Sequence, residues 1–348
     1  MTSIGAVGET SSAISVRGLW KVYGPKPERI VGSDLADLPR RALQAQTGNV
    51  VAMRDIDMDV EPGEVFVVMG LSGSGKSTLI RCLTRLIEPT VGSVRIGDVD
   101  VTGADKETLL DVRRNKVSMV FQHFGLLPHR TLTDNVAFGL EVRGVDRTER
   151  RRKANETLEL VGLSEMGGYR PHQLSGGQQQ RVGLARALAT DPDILLFDEP
   201  FSALDPLIRR DMQDEVVRLR REVNKTMVFI THDLSEALRL GDRIAIMRDG
   251  RFVQVGTPEN VVVEPADEYV ENFVRDVPRS FVVPVEHVMR DVNGDSFCGS
   301  VALGTKVRDI VKLVAHSELP VQVVDVGGKQ VGCVDRVHVL SLIAGADE

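Results

Sequence analysis

The segment from Glu64 to Ile87 constrains this chain more than any other. In Glu64-Val-Phe-Val-Val-Met-Gly70 the five residues Val65 to Met69 form an unbroken apolar run, the pattern of a strand buried on both faces. Gly70-Leu71-Ser72-Gly73-Ser74-Gly75-Lys76-Ser77-Thr78 follows at once, and Leu79, Ile80, Leu83, Leu86 and Ile87 then recur at helical spacing. Strand, glycine loop and helix in immediate succession are the setting of a phosphate-binding loop. Phosphate oxygens need closely approaching backbone N–H donors, so side chains must be absent at Gly73 and Gly75. The new helix adds its positive end. Lys76 is placed to reach β- and γ-phosphates, and the Ser77 hydroxyl to ligate Mg²⁺.

A second signal is Asp193-Ile-Leu-Leu-Phe-Asp198-Glu199. Four apolar residues predict a buried parallel strand, and the acids sit where such a strand emerges, at the sheet edge where ligands bind. Asp198 suits a Mg²⁺ ligand and Glu199 the polarisation of an attacking water. Taken alone, two acids there also serve to cap a following helix. The third signal is Leu174-Ser175-Gly176-Gly177-Gln178 ahead of a helical pattern through Leu188. A serine and two glycines opening a helix make another anion site. One chain already has its loop at 70–78, so this second site is explained most simply if it serves the nucleotide of a partner subunit.

Around these motifs, short Val/Ile/Phe-rich strands alternate with amphipathic helices from about 63 to 256, which predicts a parallel βαβ sheet. Residues 1–15 are Ser/Thr/Gly-rich and are expected to be disordered. Two strand-like segments near 16–23 and 51–60 enclose a polar stretch, where Leu35, Leu38, Leu43 and Ala45 predict a short helix. The region 125–190 is richer in helical pattern, and the Val-rich segment 279–348 holds one helical stretch, Val307 to Val314. With 348 residues, 42% hydrophobic and 27% charged, the chain reads as one large globular domain with an appendage. No run approaches the ~18 apolar residues of a membrane span, and the first residues do not read as a signal peptide. Cys82, Cys298 and Cys333 are far apart and odd in number, against a disulfide framework and for a reducing compartment. A formal charge of −7 gives no support to nucleic-acid binding.

The pentapeptide 174–178, between a phosphate loop and the 194–199 strand, resembles the signature of the ABC transporter ATPases. That resemblance covers about residues 16–260 and implies an ATPase domain over about 16–270. It implies an α/β fold with a parallel P-loop core, an antiparallel β part and a helical subdomain near 125–190. It also implies roles for further residues. Gln122 resembles the glutamine that touches Mg²⁺ and the attacking water, His232 the histidine that contacts the γ-phosphate, and Tyr23 the aromatic that stacks on adenine. Ser202-Ala-Leu-Asp205 resembles the D-loop of the dimer interface. Each of Gln122, His232 and Tyr23 would be unremarked alone; their order and spacing carry the likeness. The family implies a homodimer, with each ATP between the 70–78 loop of one chain and Ser175, Gly176, Gly177 and Gln178 of the other.

The insertion at about 24–49, the Arg-Leu-Ile-Glu-Pro-Thr90 ending and Phe201 to Arg209 resemble the ATPases of glycine betaine, proline and choline importers. This implies ATP hydrolysis driving osmolyte uptake, with permease subunits, a substrate-binding protein and a place on the cytoplasmic face of the inner membrane. An importer of another solute, such as a polyamine or methionine, is the alternative, and a non-transport ABC ATPase a remoter one. Residues 279–348 resemble a single CBS domain, a small β/α unit in which Asp325 opens a turn between strands. A dimerisation tail without a ligand is the other reading. The Arg147–Lys153 cluster, interleaved with Glu149, reads as a solvated helix face. His123 and His129 lack any third ligand, so no transition metal is expected, and Cys82 reads as core.

Overall fold

A computed structural model describes residues 12–122, 124–294 and 296–344. The disorder expected of the first fifteen residues therefore lies outside the described residues up to residue 11, as does His123; the first strand already begins at Ile14. The chain divides into two compact units, one ending at Val253 and the other beginning at Gln254.

In the first unit, β1 (Ile14–Tyr23), β2 (Val50–Val60), β4 (Val91–Ile96) and β5 (Val99–Asp100) form an antiparallel sheet in the order β2-β1-β4-β5. A second sheet has the order β10-β9-β3-β8-β7-β6. It comprises β3 (Val65–Met69), β6 (Val117–Val120), β7 (Ile194–Asp198), β8 (Thr226–Thr231), β9 (Arg243–Arg248) and β10 (Arg251–Gly256), along which the unit ends. β9, β3, β8, β7 and β6 run parallel. Every residue of β3, β7 and β8 is buried, which is why their sequences are apolar without alternation. Phe197 of β7 and Phe229 of β8 stack with ring centroids 4.0 Å apart, tying the two strands just short of their carboxyl ends.

Parallel strands place all their carboxyl ends on one edge. Met69 lies level with Thr231, and Asp198 with Ile230, so the residues that follow β3, β8 and β7 emerge side by side. Residues more than a hundred positions apart thereby meet.

The polar stretch after β1 folds on a small core of Trp20, Val22, Ile30, Ala36, Leu43 and Val51. Its helix runs Arg40–Thr47 and ends on Gly48 at φ +72°. Leu35 and Leu38, expected in that helix, lie outside it. Leu38 precedes Pro39 and is held extended at φ −63°, ψ 145°, because the proline ring excludes the helical conformation of the residue before it.

Helices Leu132–Val136, Phe138–Val142, Arg147–Leu160 and Gly176–Leu188 make the helical part. Buried Asn135 pins the loop that leads into it. Its amide nitrogen donates to the carbonyls of Leu127 and Thr131 at 3.0 and 2.9 Å, and its oxygen accepts from the Leu127 N–H at 2.7 Å.

The second unit contains a sheet of β11 (Gly299–Ala302), β12 (Val321–Val324) and β13 (Gln330–Val334). β11 and β12 are parallel, joined through helix Val307–Ala315; β12 and β13 are antiparallel. Asp325 opens the turn between the latter two, its Oδ1 accepting from the N–H groups of Gly327 and Lys329 at 2.9 Å each. Helix Arg336–Ala344 ends the described chain.

Candidate active site

The loop Gly70–Gly75 leads from β3 into helix Lys76–Leu83. Gly75 stands at φ +114°, and a Cβ there would collide with the Ala52 carbonyl, so the position admits glycine for two reasons. Gly73, at φ +81°, has space around it; the constraint there is backbone conformation alone. Lys76, 4% exposed, donates from Nζ to the carbonyls of Gly70 at 2.7 Å and Leu71 at 3.1 Å. Burial lowers its pKa from the ordinary lysine value, while Glu199 and Asp198 act in the opposite direction.

Asp198 ends β7 and is 3% exposed. Its Oδ1 accepts from Ser77 Oγ at 2.9 Å, and its Oδ2 lies 3.3 Å from the Arg81 guanidinium. Next in the chain, Glu199 has φ +46°, a left-handed conformation that a non-glycine residue adopts only under constraint. Here the constraint is the hydrogen bond from its N–H to the Ile230 carbonyl, 3.1 Å. The turn swings the carboxylate between the Lys76 ammonium and the His232 ring. Oε1 is 3.8 Å from Lys76 Nζ, and Oε2 is 3.3 Å from His232 Nδ1.

The structure thus brings Lys76, Ser77, Asp198, Glu199 and His232 into one cluster on the carboxyl edge. Gln122 lies two positions beyond β6 on the same sheet, and no hydrogen bond joins it to the cluster among the described residues. Tyr23 belongs to the antiparallel sheet; the residue is 42% exposed, with Lys21 Nζ 4.9 Å from the ring centroid. Ser72, Ser74 and Thr78 complete the loop. The Ser74 carbonyl accepts from the Gly250 N–H, and the Thr78 N–H donates to the Gly75 carbonyl.

Ser77 and Asp198 fit a Mg²⁺ ion. They offer hard oxygens 2.9 Å apart, one of them a buried carboxylate whose only ion pair among the described residues is with half-exposed Arg81. Mg²⁺ keeps few protein ligands and takes the rest from water and phosphate. Accordingly, no group of three or more His, Cys, Asp or Glu side chains that could hold a metal occurs among the described residues.

The 174–178 segment stands apart from this cluster. Ser175 caps helix Gly176–Leu188 reciprocally: its Oγ accepts from the Gln178 N–H at 3.3 Å, and its own N–H donates to Gln178 Oε1 at 2.9 Å. Gly177 is buried against Ile208, and Gly176 is exposed. No hydrogen bond or ion pair joins these residues to loop 70–78 among the described residues. Asp205 caps the helix Pro206–Val223, accepting from the Ile208 N–H at 3.1 Å.

Sequence reasoning missed a polar network behind His232. Glu236, 4% exposed, accepts from Thr231 Oγ1 at 2.5 Å and Gln213 Nε2 at 3.3 Å, and lies 3.9 Å from Arg209 Nε. Arg209 also reaches Asp233 at 3.3 Å and the carbonyl of Leu204 at 3.3 Å. The spacing Asp233-x-x-Glu236 looks like a capping box, yet only half of one forms. Asp233 caps helix Leu234–Leu240, while Glu236 turns to Thr231 instead of back to the cap.

A phosphate loop, two acids and a histidine on one parallel edge, with a second glycine-serine helix start set apart, define an ATP-hydrolysing cassette. The chain belongs to the ABC transporter family, whose sequence profile matches residues 53–202. It is 53% identical to the glycine betaine transport ATP-binding protein of Bacillus subtilis over 82% of this chain and 68% of that one. It is 47% identical to the trimethylamine N-oxide transport system ATP-binding protein of Ruegeria pomeroyi, over 97% of this chain and 98% of that one. Among solved structures, a dimeric ATP-binding cassette in a post-hydrolysis state bound to ADP and Pi is similar with a TM-score of 0.59. Its sequence is 33% identical, covering 70% of this chain and 98% of that one. No helix among the described residues is long and apolar enough to cross a membrane.

Proposed function

We propose that this chain powers an ABC importer for glycine betaine, proline, choline or a related small osmolyte, trimethylamine N-oxide among them. The observation that carries the reading is the likeness to a trimethylamine N-oxide transport protein along nearly the whole of both chains, tail included, beside the higher identity to a glycine betaine transport protein. Two copies pair head to tail, and each ATP lies between loop 70–78 of one and Ser175, Gly176, Gly177 and Gln178 of the other. Support for two copies comes from the separation of these segments within one chain and from the dimeric form of the similar cassette.

Within each site the residues have distinct tasks. The loop amides and Lys76 bind the β- and γ-phosphates, and the Tyr23 ring stacks on adenine. Glu199 accepts a proton from the attacking water, held between Lys76 and His232 at the distances above. His232 takes charge developing on the γ-phosphate. Ser77, Asp198 and Gln122 would hold Mg²⁺, which would supply positive charge against the phosphates. Catalysis is positioning and charge stabilisation with no covalent intermediate. Closure on ATP and opening after hydrolysis, with Asp205 at the interface, drive permease subunits in the membrane. The chain sits on their cytoplasmic face, and a substrate-binding protein delivers the solute. Residues 279–348 form a single CBS-like regulatory unit.

Uptake of radiolabelled glycine betaine, trimethylamine N-oxide, choline and proline, in cells carrying the wild-type or Lys76→Ala chain, tests the reading. Loss of one or more of these activities in the variant is expected. Unchanged uptake of all four would refute the osmolyte assignment and leave the ATPase standing.

A further inference from the structure

The insertion between β1 and β2 has no part in the chemistry above, yet it walls a cavity of about 640 Å³ whose opposite wall includes Gly73 of the phosphate loop. We propose that this cavity binds a small organic phosphate dianion of mononucleotide size, at a site separate from that of ATP. Four arginines line it, Arg40, Arg54, Arg248 and Arg251, against two acids, Asp37 and Asp249. Formal charge at the lining is therefore two units positive.

One of these groups is built inward. Arg54 is 8% exposed; its Nη1 donates to the Ala36 carbonyl, and its Nε has no hydrogen-bond partner. Asp37 lies 2.7 Å from Arg251 and 4.0 Å from Arg54, and Asp249 adds its charge near Arg54. Burial and the charge of Arg251 lower the Arg54 pKa, but arginine remains charged. Four guanidinium groups, one of them buried with an unused donor, against two carboxylates favour an anion here, and guanidinium groups match phosphate oxygens in geometry.

Charge and size then define the ligand. A phosphomonoester carries about −1.5 to −2 charges at neutral pH, matching the excess at the lining. A bare phosphate would leave most of the volume empty, whereas small-molecule sites run to about 300–1,000 Å³. Val51 and Phe252 supply an apolar wall for the organic part. Of loop 70–78 only Gly73 borders the cavity, and Tyr23, Lys76 and Ser77 do not line it, so it lies beside the ATP site rather than in it. Arg40 bridges the two, its Nη1 donating to the Gly73 carbonyl at 3.1 Å, which makes an occupant an effector of the loop.

Adenosine 5′-monophosphate is the probe. Equilibrium dialysis of the radiolabelled compound is run on the full chain with its ATP site saturated by Mg²⁺ and a non-hydrolysable ATP analogue. Binding of one equivalent per chain, with the analogue retained, is expected. Arg251→Gln, at a half-exposed position, should weaken it about tenfold, the worth of one charge-assisted contact. Arg54→Met should weaken it likewise, and neither change should alter analogue affinity. Displacement of the analogue, no binding at millimolar probe, or equal binding by Arg251→Gln would each overturn the proposal. Analogue binding is read in the same experiment, so a failure of the ATP site is seen separately from a failure of this one.

Discussion

Glu236 offers the sharpest quantitative test of the network behind His232. Glu236→Ala removes the acceptor of two buried donors, the Thr231 hydroxyl and the Gln213 amide, and one partner of the Arg209 guanidinium. Arg209 is partly exposed and keeps Asp233, so its share is small. Two buried orphans at about 1–3 kcal/mol each place the expected loss of stability at about 3–4 kcal/mol. For a unit of this size each kcal/mol moves the melting midpoint by about 2–4 °C, so a fall of about 10 °C is expected by circular dichroism. Glu236→Gln keeps an acceptor for Thr231 and should lose about 1 kcal/mol. The same substitutions bear on catalysis. Asp233 donates its N–H to Thr231 Oγ1 at 3.0 Å, so freeing Thr231 loosens the turn that carries His232. Hydrolysis measured well below the melting range should fall about tenfold for Ala and little for Gln, a drop of about 1.4 kcal/mol in transition-state stabilisation. The pH dependence has a definite sign. Burial raises the Glu236 pKa above its ordinary 4.5, so in the folded state it holds its proton to higher pH than in the unfolded chain. As pH rises through that interval the wild type therefore loses stability relative to Glu236→Gln. An Ala variant that melts with the wild type, or a stability difference of the opposite sign with pH, would refute this reasoning.

Two other outcomes follow from the same geometry. Ser175→Arg should abolish steady-state hydrolysis while an isolated chain still binds ATP through loop 70–78, because in the proposed pairing the signature and the loop serve different nucleotides; lost binding in equilibrium dialysis would count against the arrangement in trans. Burial pushes the Cys82 thiol up to about 12, so iodoacetamide at pH 8 should label partly exposed Cys298 and spare Cys82 until the protein unfolds, as mass spectrometry of the peptides would report.

The sequence made the chemistry legible where local pattern and chemistry coincide. Residues 64–87 announce strand, loop and helix because burial on both faces, left-handed glycines and helical periodicity each leave their own mark. Asp198 and Glu199 are legible for the same reason, at the end of an apolar run. Hidden from the sequence was the distance across the sheet. That β8 lies between β3 and β7, setting His232 beside Glu199, depends on long-range pairing that no local pattern encodes. Glu236 was hidden because its spacing from Asp233 imitates a cap. In the insertion, the apolar residues suggested one helix, and Pro39 moved its start beyond Leu38. The cavity walled by Arg54 and Arg251 brings together residues nearly two hundred positions apart, so only the fold reveals it.

The central claim is that Glu199 activates water for attack on ATP held by the 70–78 loop. Single-turnover hydrolysis by Glu199→Gln, with ATP affinity measured on the same protein, tests it most directly. General-base catalysis contributes about 10²–10⁴-fold, so a loss of that size with ATP binding intact is the expected result. Turnover close to that of the wild type would contradict the account.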